Sequence, residues 1–236
     1  MADSMRGGGG VMTRALLYCG VAAGPVYIGV GALQMLLREG FDPTRHALSL
    51  MSLGDLGFIQ ISNFIVSGVL VLLGAYGMMR AMDRGRGRVA GPVLLGVYGL
   101  GLVASGVFVA DAMDGFPPGT PPGPPESMSW HGQLHFLCGA VGFLGAIGAC
   151  LAMAVRFYSV KMAGWAAYSA ATGVFFFAGF GAIASGGGAA WSVLAFTAAV
   201  VLLWAWISAV SWRLGASAGA ASATGEPEVN AGEGAR

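Results

Sequence analysis

The chain has 236 residues, of which 56% are hydrophobic, 10% charged and 41 glycine. A soluble domain carries about 25% charged residues. The shortfall lies in long apolar runs, which excludes a water-solvated globule and makes a bilayer the solvent. The formal net charge of +1 identifies no partner, and no nucleic acid is expected.

Residues 1–13, with Gly7–Gly10, read as a flexible tail, and 14–212 as a six-span transmembrane domain. The first span, Ala15–Leu37, is too long for the apolar core of a signal peptide, and no A-x-A site follows it. It reads as a retained helix. A short polar loop follows, Phe41-Asp42-Pro43-Thr44-Arg45-His46-Ala47-Leu48-Ser49. Arg45 there could pair with Asp42, Asp111 or a lipid phosphate. The second and third spans are Phe58–Met79 and Val89–Ala110, separated by a loop that carries Arg80, Arg84, Arg86 and Arg88.

The third loop, 111–130, holds Asp111, Asp114 and Glu126 and no basic residue. Its Gly115–Pro125 segment, GFPPGTPPGPP, favours polyproline-like geometry and reads as a stiff flap or an inert loop. Three further spans follow, His135–Val155, Met162–Ala184 and Ala189–Val210, and then a disordered tail over 213–236. A bilayer core of about 30 Å needs about 20 helical residues. Each run meets that, and none contains an internal Lys, Arg, Asp or Glu. The fold class is all-α, an integral membrane six-helix bundle. The six tryptophans fall mostly near span ends, as an interfacial belt. Cys19, Cys138 and Cys150 lie inside spans and read as small packing residues.

Of the 12 Lys and Arg residues, all but Arg38 and Arg45 fall on the side of a six-span layout that holds both termini. Cytoplasmic loops collect basic residues. The layout therefore predicts a multi-pass cell-membrane protein with both termini cytoplasmic. His46, His131 and His135, the chain's 3 histidines, then lie outside with Asp55, Asp111 and Asp114.

An echo runs through the first half. AGPVYIGV (23–30) and AGPVLLGV (90–97) recur in the first and third spans. EGFDP (39–43) and DGFPP (114–118) follow those spans. This predicts a bundle built from repeated helical hairpins; chance matching in a Gly/Ala-rich chain is the alternative.

The chemistry gathers at SWHGQLHF (129–136). Residues four apart share a helix face, so His131 and His135 can point together. Ser127 or Ser129 could cap the helix start. Asp111 closes the third span and could return beside them. Two imidazoles and a carboxylate suffice for a zinc with an open position, so Asp111, His131 and His135 are the candidate metal ligands, with His46 a possible third nitrogen. Gly132 and Gln133 stand where H-E-x-x-H would need its glutamate, so the zinc-protease pattern is not met. Two other readings stay open. One is a metal-free polar or proton-handling site. The other is structural, with His131 at the interface and His135 bonded within the bundle.

Together, DPTRHALSLMSLGDLGFIQISNFIVSG, GLGLVASGVFVADAMDGFPPGTP and WHGQLHF resemble the domain-of-unknown-function 998 (DUF998) family of multi-span bacterial and archaeal membrane proteins. The likeness runs over about 15–212. It implies the six-span fold and supplies no activity. The family pattern carries over onto His46, Ser49, Asn63, Asp111, Pro117, His131 and His135. Many relatives are expected to have Asp-Pro where this chain has Asp111-Ala112, which leaves the geometry of that turn open. A more distant analogy, in residue chemistry alone, is to zinc-holding transmembrane hydrolases of the alkaline ceramidase type.

The functional reading is a protein that binds or senses a lipid or small ligand in an outward-facing polar pocket. Its candidate residues are Arg45, His46, Ser49, Asn63, Asp111, Asp114, His131 and His135. The alternatives are a zinc-dependent lipid hydrolase and a small-molecule transporter with Gln60, Asn63, Ser67, Ser105 and Thr172 along its path.

Overall fold

The computed structural model describes residues 2–82 and 85–223, with side chains from 10 to 217. It is a bundle of six helices: α1 (Ala2–Leu37), α2 (Gly57–Ala81), α3 (Ala90–Val107), α4 (Trp130–Ser159), α5 (Ala163–Ser185) and α6 (Ala190–Ala223). All six are long and apolar enough to cross a membrane, and no strand occurs among the described residues. Hydrocarbon offers no hydrogen bonds to a backbone, so a run of this length settles as helix despite its glycines. Even Pro25 sits inside α1 without ending it.

The helices extend past the expected spans. α1 begins at Ala2 and α6 runs to Ala223, so both enter segments read from sequence as tails. Residues 224–236 of the predicted C-terminal tail, and Arg84, lie outside the described residues. α4 starts at Trp130, because the Ser129 side chain accepts from Gly132 N–H and caps it. α3 ends at Val107, short of the expected Ala110.

Each helix packs on its sequence neighbours, and α6 closes on α1 to complete a ring. Close approach rests on small residues. A Cβ on Gly101 of α3 would lie 2.9 Å from Gly142 Cα of α4, and one on Gly74 of α2 would lie 2.7 Å from Gly20 Cα of α1. The ring is filled at mid-height by aromatics. Trp204 stacks on Tyr27 at 4.4 Å and tilts against Tyr98 at 5.7 Å. Trp206 donates from Nε1 to Ser169 Oγ at 2.9 Å, joining α6 to α5. Trp204 and Trp206 are fully buried, which corrects the interfacial reading for these two. Trp130, Trp191 and Trp212 stay exposed. In the Phe175–Phe177 run, Phe176 is buried between two exposed neighbours.

Among the described side chains, Arg80, Arg86, Arg88, Arg156 and Lys161 lie at or between the α2–α3 and α4–α5 turns, the basic end of the bundle, whereas Arg38 and Arg45 lie with the histidines at the opposite end. At the histidine end, the connections between α1 and α2 and between α3 and α4 fold together over the helices.

Candidate functional site

The first connection is organised by Asp42. Its Oδ1 accepts from Thr44 N–H at 2.8 Å and from the Thr44 hydroxyl at 2.7 Å. Those two bonds, with smaller help from Arg45, hold the Asp42 carboxyl below the usual aspartate range. His46 Nδ1 accepts from Asp42 N–H at 2.9 Å, so the ring proton sits on Nε2, which donates to the Asp114 carbonyl at 3.1 Å. Arg45 Nη2 donates to the same carbonyl at 3.2 Å.

Phe41, His46 and Phe116 form a triangle with 5.4 Å between each pair of ring centroids. Arg38 lies over Phe116 and donates to the Met51 and Leu53 carbonyls. Leu50, Met51 and Ala110 complete a small apolar core that ties the two connections into one cap. The sequence echo has a physical counterpart here. Gly40 and Gly115 both adopt positive φ, at 76° and 90°, which a glycine takes without steric cost. The phenylalanines that follow them, Phe41 and Phe116, meet edge to face.

Beneath the cap lies the α3–α4 junction. The end of α3 leaves carbonyls without helical partners. His135 of α4 supplies one: its Nδ1 lies 2.8 Å from the Phe108 carbonyl and 3.2 Å from the Ser105 carbonyl. Asp111 lies in the extended segment beyond α3 and serves the start of α4. Its Oδ2 accepts from Ser129 N–H at 2.9 Å. A Cβ on Gly132 would fall 2.1 Å from that oxygen, so only glycine lets the carboxylate close on the first turn. A negative charge there also suits the positive end of the helix dipole.

Below the cap, side chains from all six helices and the Ala47–Ser49 segment enclose a cavity of about 230 Å³. Its walls include Tyr27, Phe64, Tyr98, Leu102, Phe143, Phe180, Phe196 and Val200. The residues with polar side chains in its lining are few: His135, Ser49, Ser105, Thr197 and the two tyrosines. Gly139 lines it with open space beside it: a Cβ there would meet only Ser105 Oγ, at 4.0 Å.

The predicted site residues therefore separate. Arg45, His46 and Asp114 belong to the cap. Ser49 and His135 line the cavity. His131 is exposed, with its ring 3.7 Å from that of Trp130 and 5.9 Å from that of Phe108. Asn63 is buried on α2, donating to the Tyr27 carbonyl at 3.2 Å and to Gln60 Oε1 at 3.3 Å. Ser67 donates to Asn63 Oδ1, and Gln34 to Gln60 Oε1. These side chains bind one another. Thr172, likewise, donates to the Tyr168 carbonyl. Within this group Gln34 Oε1 and Gln60 Nε2 are buried without partners among the described residues.

The candidate zinc ligands do not come together. Among the described residues no three His, Cys, Asp or Glu side chains are grouped to hold a metal ion. Asp111 spends its carboxylate on the α4 start, His135 points Nδ1 at the end of α3, and His131 lies against aromatic rings. The i, i+4 spacing does not bring the two imidazoles to one ligand, because α3 draws in only His135. Sequence reasoning also missed the aromatic walls. The available signal was tyrosine at mid-span, Tyr27 and Tyr98, where an interfacial residue would not sit.

The model of the family described as "Protein of unknown function (DUF998)" matches residues 21–213. No curated protein and no solved structure matches the chain.

Proposed function

The chain belongs to the DUF998 family, and from that premise we propose that it is a binding protein for a lipid-like ligand held inside the bundle at the histidine end. The observation that carries this reading is the cavity of about 230 Å³. Cavities left in a well-packed interior cost stability in proportion to their volume, and interiors contain few voids larger than a water. A cavity of about 150 Å³ with apolar walls already accepts benzene. By proportion this one takes roughly nine carbon atoms. Mostly apolar walls with a few convergent polar groups are the usual composition of a ligand site.

The excess of Lys and Arg at the basic end supports an orientation with both termini cytoplasmic. The cap and the cavity then face outward. The zinc-hydrolase alternative loses its support with the dispersal of Asp111, His131 and His135. The transporter alternative loses its support with the mutual bonding of Gln60, Asn63 and Ser67.

The test is native mass spectrometry of protein extracted from the membrane in polymer discs. The wild type is expected to carry an apolar ligand, and Gly139→Leu, which fills the cavity, to lose it. A wild-type spectrum identical to that of Gly139→Leu would refute the reading.

A further inference from the structure

We propose that the ligand of this cavity is a neutral lipid whose polar end is a hydroxyl group, a long-chain alcohol, with its O–H donating to His135 Nε2. The proposal rests on the binding reading above and names its ligand class.

The argument starts from the imidazole. Both groups facing Nδ1 are backbone carbonyls, those of Ser105 and Phe108. A carbonyl only accepts, so Nδ1 carries the proton. In a neutral ring the other nitrogen is then solely an acceptor. No donor among the described residues bonds Nε2, although the residue is only 5% exposed and lines the cavity. An unmatched acceptor against apolar walls is unfavourable, and a ligand donor removes that cost. The polar end must therefore supply a hydrogen.

Charge narrows the class further. No Lys, Arg, Asp or Glu lines the cavity. A carboxylate or phosphate would enter without a counter-ion, and so would an ammonium. A cationic imidazole, which would attract an anion, would itself lack a carboxylate partner in these walls. A neutral hydroxyl meets every condition. The small hydroxyls of Ser49 and Ser105 line the same space and can accommodate its lone pairs.

The route favours a lipid over a water-borne alcohol. The cap covers the bundle end, whereas the lining reaches the outer surface of the spans at Phe136 of α4 and Ala184 of α5, both exposed. That surface faces hydrocarbon in a bilayer, so entry is sideways from the membrane.

The test uses three diazirine-bearing probes of one chain length, dodecanol, dodecyl methyl ether and dodecanoate, with the full-length protein in lipid nanodiscs. Adducts are mapped to peptides. The alcohol is expected to label the α4 segment from Phe136 to Phe143 about two- to tenfold more than the ether, the worth of one neutral hydrogen bond. It should also exceed dodecanoate. His135→Ala, confirmed folded by its elution and helicity, should abolish the preference for alcohol over ether. Equal labelling by alcohol and ether in the wild type, or preference for dodecanoate, overturns the hydroxyl assignment while leaving the binding reading standing. Labelling by none of the three overturns both. The wild-type comparison needs no variant, so misfolding of His135→Ala cannot shelter the proposal.

Discussion

Gly139→Leu is the perturbation whose outcome the structure fixes most narrowly. A glycine inside a helix costs about 0.5–1 kcal/mol relative to a residue with a side chain. The new Cβ meets only Ser105 Oγ, at 4.0 Å, so it enters without strain. The leucine body then fills a void on the order of 100 Å³, worth about 2 kcal/mol at ~24 cal/mol per Å³. With the cavity empty, the gain should be about 2–3 kcal/mol. With a lipid resident, the leucine displaces existing contacts, and only the helix contribution of about 0.5–1 kcal/mol remains. Thermal unfolding should therefore show the larger gain in delipidated detergent and the smaller one in native polymer discs. Gly101→Leu is the contrasting variant. Its Cβ would sit 2.9 Å from Gly142 Cα and 2.9 Å from the Cys138 carbonyl. It should destabilise by about 1–3 kcal/mol or more, as overpacking does. A Gly139→Leu protein less stable than wild type, or equally shifted in both media, would refute the reasoning.

Asp111→Ala should lower stability by about 1 kcal/mol through loss of the charge and bond at the α4 start. Gly132→Ala should reproduce it by displacing the same carboxylate, and thermal unfolding checks both. His46→Ala leaves Asp42 N–H without its side-chain partner and the Asp114 carbonyl with Arg45 alone. The cap should loosen by about 1–3 kcal/mol, read as faster limited proteolysis within 108–129. The Asp42 carboxyl, depressed mainly by Thr44, should titrate below an ordinary aspartate by NMR and move up in Thr44→Val. Its contribution to cap stability is present above the ordinary aspartate range and lost as pH falls through the depressed value. For orientation, Ser127→Cys should react with an impermeant thiol reagent on intact cells, and Ser159→Cys only after permeabilisation, in a background lacking the native cysteines. The reverse pattern would put the cap on the cytoplasmic side.

The spans were legible because they depend on local composition. Hydrocarbon forces every backbone group to bond within its own segment, so an uncharged apolar run of sufficient length becomes a helix whatever surrounds it. A serine cap at the α4 start was legible for the same reason, since it acts only on the next turn; the structure selects Ser129 over Ser127. The glycines of the paired EGFDP and DGFPP motifs, Gly40 and Gly115, both take positive φ, a local demand that glycine meets.

Partnership was not legible. His46, His131 and His135 are chemically identical in the sequence, and their spacing fits a metal pair. The α3 terminus decides that His135 turns its proton inward, and the Asp42 turn decides that His46 clasps Asp114. The cavity illustrates the same limit. Gly101 and Gly139 are both glycines in apolar helices, yet one allows two backbones to touch and the other borders a void. That difference depends on the distance to the neighbouring helix, a property of the assembled ring and of no single segment within it.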